Sequence, residues 1–245
     1  MATPVPATYA AQWDACWDHE EAQPWYPDEQ VVRFLARYVS RRVGVAPGAV
    51  RHTQGEAPSA LDLGCGKGRH VVLMRELGID AFGLDVSEKA IAFAREWLAS
   101  RGKSADLRAG SMTELPYADR QFDCVISHGV FDHALAAVRE RAVAEVERVL
   151  KPGGWFFVSL ISESDSAFGE GNEVEDRTWL VAEGFESGIP QAFFDPARIR
   201  DEFARFEFES IVLCECQTLE GRSLIGSDKH YARDSRYYVT ARRRG

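Results

Sequence analysis

A chain of 245 residues has room for one large α/β domain with a full core, or for two small ones. Its 45% hydrophobic and 27% charged residues are ordinary for a globular protein in water, and a formal net charge of −9 argues against broad affinity for nucleic-acid phosphates. No run approaches the roughly 18 apolar residues of a membrane span, Met1 to Ala10 lacks the features of a secretion signal, and five irregularly spaced cysteines make no disulfide framework. The expectation is a cytoplasmic protein with no membrane or nucleic-acid partner.

Residues 8–42 read as two helical segments split around Pro24 and Pro27. The first carries Trp13 and Trp17 one turn apart, on one face. The second starts near Asp28 and places Val31, Val32, Leu35, Val39 and Val43 at three- and four-residue steps. Residues 44–58, rich in Gly, Pro and polar groups, read as a linker.

From Ser59 short apolar runs alternate with helical patterns. Strands are predicted at 60–63, 79–84, 104–109, 122–127 and 155–161, and helices at 69–77, 87–100 and 135–150. Ser87 caps the second of these helices. Val138, Ala142, Val146 and Val149 face inward on the third, which stops at Lys151-Pro152-Gly153-Gly154. Such alternation builds βαβ units and a parallel, doubly wound Rossmann-like sheet. Residues 162–194, acidic and Gly-rich with scattered aromatics, read as an inserted cap. A helix at 196–204 and strands at 206–216 and 236–241 follow. The turn-rich segment between those strands is too short for a crossover helix, so they are predicted to pair antiparallel. Arg242-Arg243-Arg244 reads as a solvated terminus.

The segment Leu61-Asp62-Leu63-Gly64-Cys65-Gly66-Lys67-Gly68 is the most informative. Glycines let a strand turn sharply into a helix and let backbone approach a ligand. Asp85 closes the next strand about twenty residues on, where a carboxylate takes both hydroxyls of a ribose. Asp62 stands beside the glycines, where a pyrophosphate would be repelled but an ammonium and a sulfonium welcomed. That combination suits S-adenosylmethionine, leaving S-adenosylhomocysteine as product.

These residues resemble the signature loop of class I S-adenosylmethionine-dependent methyltransferases. Gly83-Leu84-Asp85-Val86-Ser87 is similar to their second motif. Ala109-Gly110-Ser111-Met112 through Leu115-Pro116-Tyr117, and then Phe122 to Ser127, resemble the third and fourth. Arg148 to Gly154 resembles the turn into their fifth strand. The resemblance covers about residues 58–161 with the motifs in order. It implies a seven-stranded sheet with the last strand antiparallel, in one domain over 1–245: an N-terminal helical lid and linker (1–57), a cofactor-binding core (58–161), the cap (162–194) and the rest of the sheet (195–245). It also implies that Gly64, Gly66 and Gly68 line the methionine moiety, that Asp85 holds the ribose, and that Val86 and Met112 sandwich the adenine. Ser111 stands where many relatives carry an acidic residue, and Ser127 or His128 would sit near the sulfonium. Cys65 reads as a small packing group within the loop.

For the acceptor, His128 and His133 bracket Gly129-Val130-Phe131-Asp132 after the fourth strand, and either is a candidate catalytic base, His133 ahead of His128. Asp132 either orients a histidine or caps the next helix. Trp13 and Trp17 either close over the ligands or anchor the sheet. Phe131 and Phe194, with Phe168, Trp179 and Phe193, are candidates for an apolar acceptor pocket. Cys214-Glu215-Cys216 puts two sulfurs on one strand face without further ligands, His230 being too weak a partner, so no metal is expected. The reading is methyl transfer to an O or N atom of a small molecule by a monomer or homodimer. A chalcogen- or metalloid-detoxifying methyltransferase and a non-catalytic cofactor-binding regulator are the alternatives. Ser127-His128-Gly129-Val130 replaces the Pro-Pro-Tyr-like run of base-directed enzymes, which argues against a nucleic-acid substrate.

Overall fold

Alternating strands and helices between Ser59 and Ile161 build the centre of the molecule. The structure, a computed structural model, describes residues 9–19, 25–46, 48–217 and 233–245. Residues 1–8, Pro24 and the turn-rich segment with His230 lie outside the described residues. Two helices come first, α1 (Ala10–Cys16) and α2 (Glu29–Tyr38), the latter capped by Asp28, whose carboxylate accepts the N–H groups of Gln30 and Val31. Then come the short strands β1 (Ser40–Arg42) and β2 (Val50–His52). The core follows as β3 (Ser59–Leu63), α3 (Arg69–Glu76), β4 (Asp80–Asp85), α4 (Glu88–Ser100), β5 (Asp106–Ala109), β6 (Phe122–Ser127), a 3-10 turn (Phe131–His133), α5 (Ala136–Val149) and β7 (Leu150–Ile161). Strands β8 (Asn172–Glu175), β9 (Thr178–Leu180) and β10 (Pro190–Ala192) come next. Helix α6 (Pro196–Glu202) leads to β11 (Phe206–Gln217) and β12 (Arg233–Arg243).

Seven strands form one sheet in the order β11-β12-β7-β6-β3-β4-β5. Strands β5, β4, β3, β6 and β7 are parallel, and β12 runs antiparallel to both β7 and β11. The sheet and its antiparallel final strand are therefore those expected. One apolar layer packs α2, α3 and α4 on one face and another packs α5 and α6 on the other. Cys124, Val125 and Ile126 of β6 are fully buried, as a central parallel strand covered on both faces requires. Strands β8, β9 and β10 make a separate antiparallel sheet between β7 and α6. Among the described residues no helix is long and apolar enough to cross a membrane.

Four expectations change. Helix α2 ends at Tyr38, and its buried face is Val31, Phe34 and Leu35, while Val32 and Val43 are exposed. The stretch read as linker holds the β1–β2 ribbon, paired Arg41 to Arg51; three-residue strands carry too little alternation to show a period of two. Val138 is only half-buried on α5, where Arg139 is fully buried instead. The C-terminal arginines are not a loose tail. Arg242 lies over the Trp155 ring, 3.9 Å from its centroid, and Arg243 donates to the Leu150 carbonyl.

Candidate functional site

The C-terminal ends of β3, β4 and β6 converge where a doubly wound sheet places its ligand. Gly64, Gly66 and Gly68 all have positive φ (75°, 51° and 88°) between β3 and α3. A Cβ on Gly64 would collide with Val130, and one on Gly66 would stand 2.7 Å from the Trp17 ring. The loop is thus pressed on one side by the segment after β6 and on the other by α1. Cys65 is buried beneath Gly83, and burial pushes its thiol well above the ordinary range, so it is a packing group without a reactive thiolate.

Two buried carboxylates flank the glycines. Asp85, at the end of β4, accepts the N–H of Gly66 at 2.8 Å and that of Ser87 at 2.9 Å. Burial pushes its carboxyl up to about 6 against the pull of those two N–H groups. Two bonds leave acceptor capacity on its oxygens for ribose hydroxyls. Asp62, on β3, is 1% exposed, and neither of its oxygens has a hydrogen-bonding partner. A buried anion without partners is costly, and a cationic ligand removes that cost. The donor set therefore fits S-adenosylmethionine: Asp62 would face its ammonium and Asp85 its ribose. Val86, Ser111 and Met112 are half-buried in the turns that follow β4 and β5. The Ser111 hydroxyl lies 2.8 Å from that of Thr113 and accepts the Thr113 N–H.

After β6 the candidates separate. The Ser127 hydroxyl donates to the Leu63 carbonyl at 2.9 Å and ties β6 to β3. His128 has both ring nitrogens engaged by protein: Nδ1 accepts from the Arg69 guanidinium at 3.3 Å, and Nε2 lies 3.2 Å from Asp28, off the line of a good hydrogen bond. Burial pushes His128 down to about 4, against the opposing pull of Asp28, so it is neutral and occupied near pH 7. Val130, on the turn after β6, is the side chain that lies against Gly64. His133 differs. Its Nδ1 donates to the Pro190 carbonyl at 3.3 Å, which leaves Nε2 as the lone-pair nitrogen. Its ring packs edge-on against Trp13, centroids 5.3 Å apart. Asp132 neither caps α5 nor orients a histidine: it is fully buried in an ion pair with Arg236 at 2.5 Å, while the N-cap position of α5 is Leu135, with no side-chain cap.

Helix α1 joins these parts. Trp17 covers Gly66, Trp13 meets His133, and Asp14 accepts from the Ser87 hydroxyl, which itself caps α4. Lys67 donates to the Trp17 carbonyl at 3.2 Å. Phe131 and Phe194 sit elsewhere. Phe131 is fully buried against Phe156 and Phe203, and Phe194 is fully buried between the guanidinium groups of Arg139 and Arg198. Both are core: Phe203, at the end of α6, packs on Phe131, and Arg139 in the first turn of α5 and Arg198 on α6 lie over Phe194. Phe168, Trp179 and Phe193 form an aromatic cluster under the β8–β10 sheet, in which Phe168 alone is exposed. Asp14, Asp28, Arg69, His70 and Val130 carry no motif that singles them out in the sequence. Only Asp28 was read in the sequence, as the start of α2.

Residues 61–158 match the model of a methyltransferase domain family. The chain is 33% identical over 129 residues to a ubiquinone biosynthesis O-methyltransferase of Thiobacillus denitrificans, covering 51% of this chain and 55% of that protein. The chain spans about half the length of the curated relatives it matches. Among solved structures it superposes on an S-adenosylmethionine-dependent methyltransferase of Methanosarcina mazei with a TM-score of 0.65 at 19% identity, covering 77% and 93% of the two chains. It also superposes on 1,6-didemethyltoxoflavin-N1-methyltransferase of Burkholderia thailandensis, bound to S-adenosylhomocysteine, with a TM-score of 0.64 at 17% identity over 100% and 94% of the chains. With the sheet order, the glycine loop and its two carboxylates, these likenesses show a methyltransferase-like domain over residues 61–158 and the fold of S-adenosylmethionine-dependent methyltransferases.

Proposed function

We propose that the protein transfers a methyl group from S-adenosylmethionine to a hydroxyl oxygen of a small-molecule acceptor, with His133 as the general base. The bound cofactor supplies an electrophilic methyl group on a sulfonium. The chain's own contribution is alignment, which alone can supply several kcal/mol of such a displacement, together with removal of the acceptor proton. The observation that carries the reading is His133: tied by Nδ1 to Pro190 and braced by Trp13, it holds its Nε2 lone pair on the turn that follows Val130, the residue in contact with Gly64. The naming of several relatives as O-methyltransferases supports oxygen as the attacked atom. The half-buried faces of Trp13 and Trp17 support a small, planar acceptor lying under α1.

The test is a screen of phenols and enols for S-adenosylhomocysteine release, followed by His133→Ala. A positioned base contributes about 10²- to 10⁴-fold, so kcat should fall by at least about a hundredfold with cofactor affinity intact. Unchanged turnover by His133→Ala removes the base from the account.

A further inference from the structure

His70 follows Arg69 in the first turn of α3 and is 4% exposed. Its Nε2 accepts the backbone N–H of Asp28 at 3.2 Å. A ring nitrogen that accepts a hydrogen bond carries no proton, so the neutral ring holds its hydrogen on Nδ1. That Nδ1 stands 3.8 Å from Asp62 Oδ2, beyond hydrogen-bond length but next to a carboxylate with neither oxygen partnered. Asp28 is itself fixed, because its carboxylate caps α2 through Gln30 and Val31 and lies against His128. One residue at the head of α2 therefore sets which nitrogen His70 turns toward Asp62.

We propose that His70 is a positioning residue for the amino-acid end of the cofactor. Its Nδ1–H faces one oxygen of Asp62 from 3.8 Å and closes on it when the ligand's ammonium takes the other. Helix α2, which supplies no cofactor contact of its own in this account, thereby acts on the site through the His70 tautomer. The inference rests on the reading of Asp62 as the ammonium carboxylate.

The test compares two ligands by calorimetry. S-adenosylhomocysteine carries the ammonium, whereas 5′-methylthioadenosine shares the adenosine and thioether but lacks the amino-acid portion. In His70→Leu, S-adenosylhomocysteine should bind about tenfold more weakly, the effect of one lost hydrogen bond to a charged group. Binding of 5′-methylthioadenosine should change by less than about twofold. His70→Asn, whose amide N–H falls near the place of Nδ1, should recover most of the loss, and His70→Leu with Asp62→Asn should be no weaker than Asp62→Asn alone. Equal weakening of both ligands, or unchanged binding of S-adenosylhomocysteine, overturns the proposal. A wild-type protein that binds neither ligand overturns the cofactor assignment beneath it. Should His70→Leu fail to fold, ¹⁵N spectra of the wild-type imidazole decide: an Nε2–H tautomer at His70 overturns the proposal and an Nδ1–H tautomer sustains it.

Discussion

Replacing Asp85 by Asn removes a charge that the fold holds at a cost. Burial raises this carboxyl from 3.8 to about 6. At 1.36 kcal/mol per pH unit, the ionised side chain destabilises the folded protein by about 3 kcal/mol relative to the unfolded chain. An acid whose folded pKa is raised binds its proton more tightly when folded. Its cost is therefore absent below about pH 4, grows as the pH rises toward 6, and is complete above that. Asn carries no charge, but its single oxygen serves only one of the N–H groups of Gly66 and Ser87, which returns about 1–2 kcal/mol. Without cofactor, Asp85→Asn should thus be more stable than wild type by about 1–2 kcal/mol at pH 8, a rise of about 2–8 °C in Tm for a chain of this size. Near pH 4, where the wild-type cost is gone, the order should reverse, with the variant less stable by about 1–2 kcal/mol. Melting curves of both proteins between pH 4 and 8 check this. A variant that melts at or below the wild-type temperature at pH 8, or a difference that does not change with pH, refutes the claim that Asp85 is held ionised against its burial. Such a cost is what a site carries when its carboxylate is kept for a ligand and not for the fold.

Other outcomes follow from the same contacts. Gly66→Ala places a Cβ against the Trp17 ring at a φ of 51° and should cost about 1–3 kcal/mol. Part of that should be relieved in Gly66→Ala with Trp17→Ala, and a double-mutant cycle by urea denaturation showing strict additivity would separate α1 from the loop. Arg139 is fully buried and makes a two-pronged ion pair with Glu202 at 2.7 and 2.9 Å, so Arg139→Met should cost about 3–5 kcal/mol in urea denaturation; a loss under 1 kcal/mol means that Arg198 alone satisfies Glu202. His128 is pushed down to about 4, so its ring proton resonances should stay fixed from pH 5.5 to 8. Because its folded pKa lies below its unfolded value, it lowers stability as pH falls from about 6.5 toward 4. A titration near pH 6.5 would free it to act as a base.

The glycine loop and Asp85 were legible because both are local. A strand must turn into a helix over Gly64 to Gly68, and the carboxylate that meets it sits at a fixed strand end. The sense of strand pairing was legible for a related reason: helices between strands force parallel pairing, and a short connection forces the antiparallel last pair. The polar network around Asp62 was not. Asp28, His70 and His128 come from three distant segments, and only the packing of α2 onto α3 and β6 joins them. Phe131 and Phe194 looked like pocket aromatics because composition cannot tell a ring in a wall from a ring beneath it. The packing of Arg139 and Arg198 on Phe194 has no signature short of the fold, and Asp132, placed like a helix cap, was drawn instead to Arg236 on β12.

The account stands most directly on one titration. Purified protein is mixed with S-adenosylmethionine, S-adenosylhomocysteine, NADH and ATP in a calorimeter, beside Asp85→Asn. Micromolar binding of the first two, absent for the others and lost in Asp85→Asn, is the predicted result. Folded wild-type protein that stays silent with both, or that binds them equally well after Asp85→Asn, contradicts the assignment of the glycine loop and its two carboxylates.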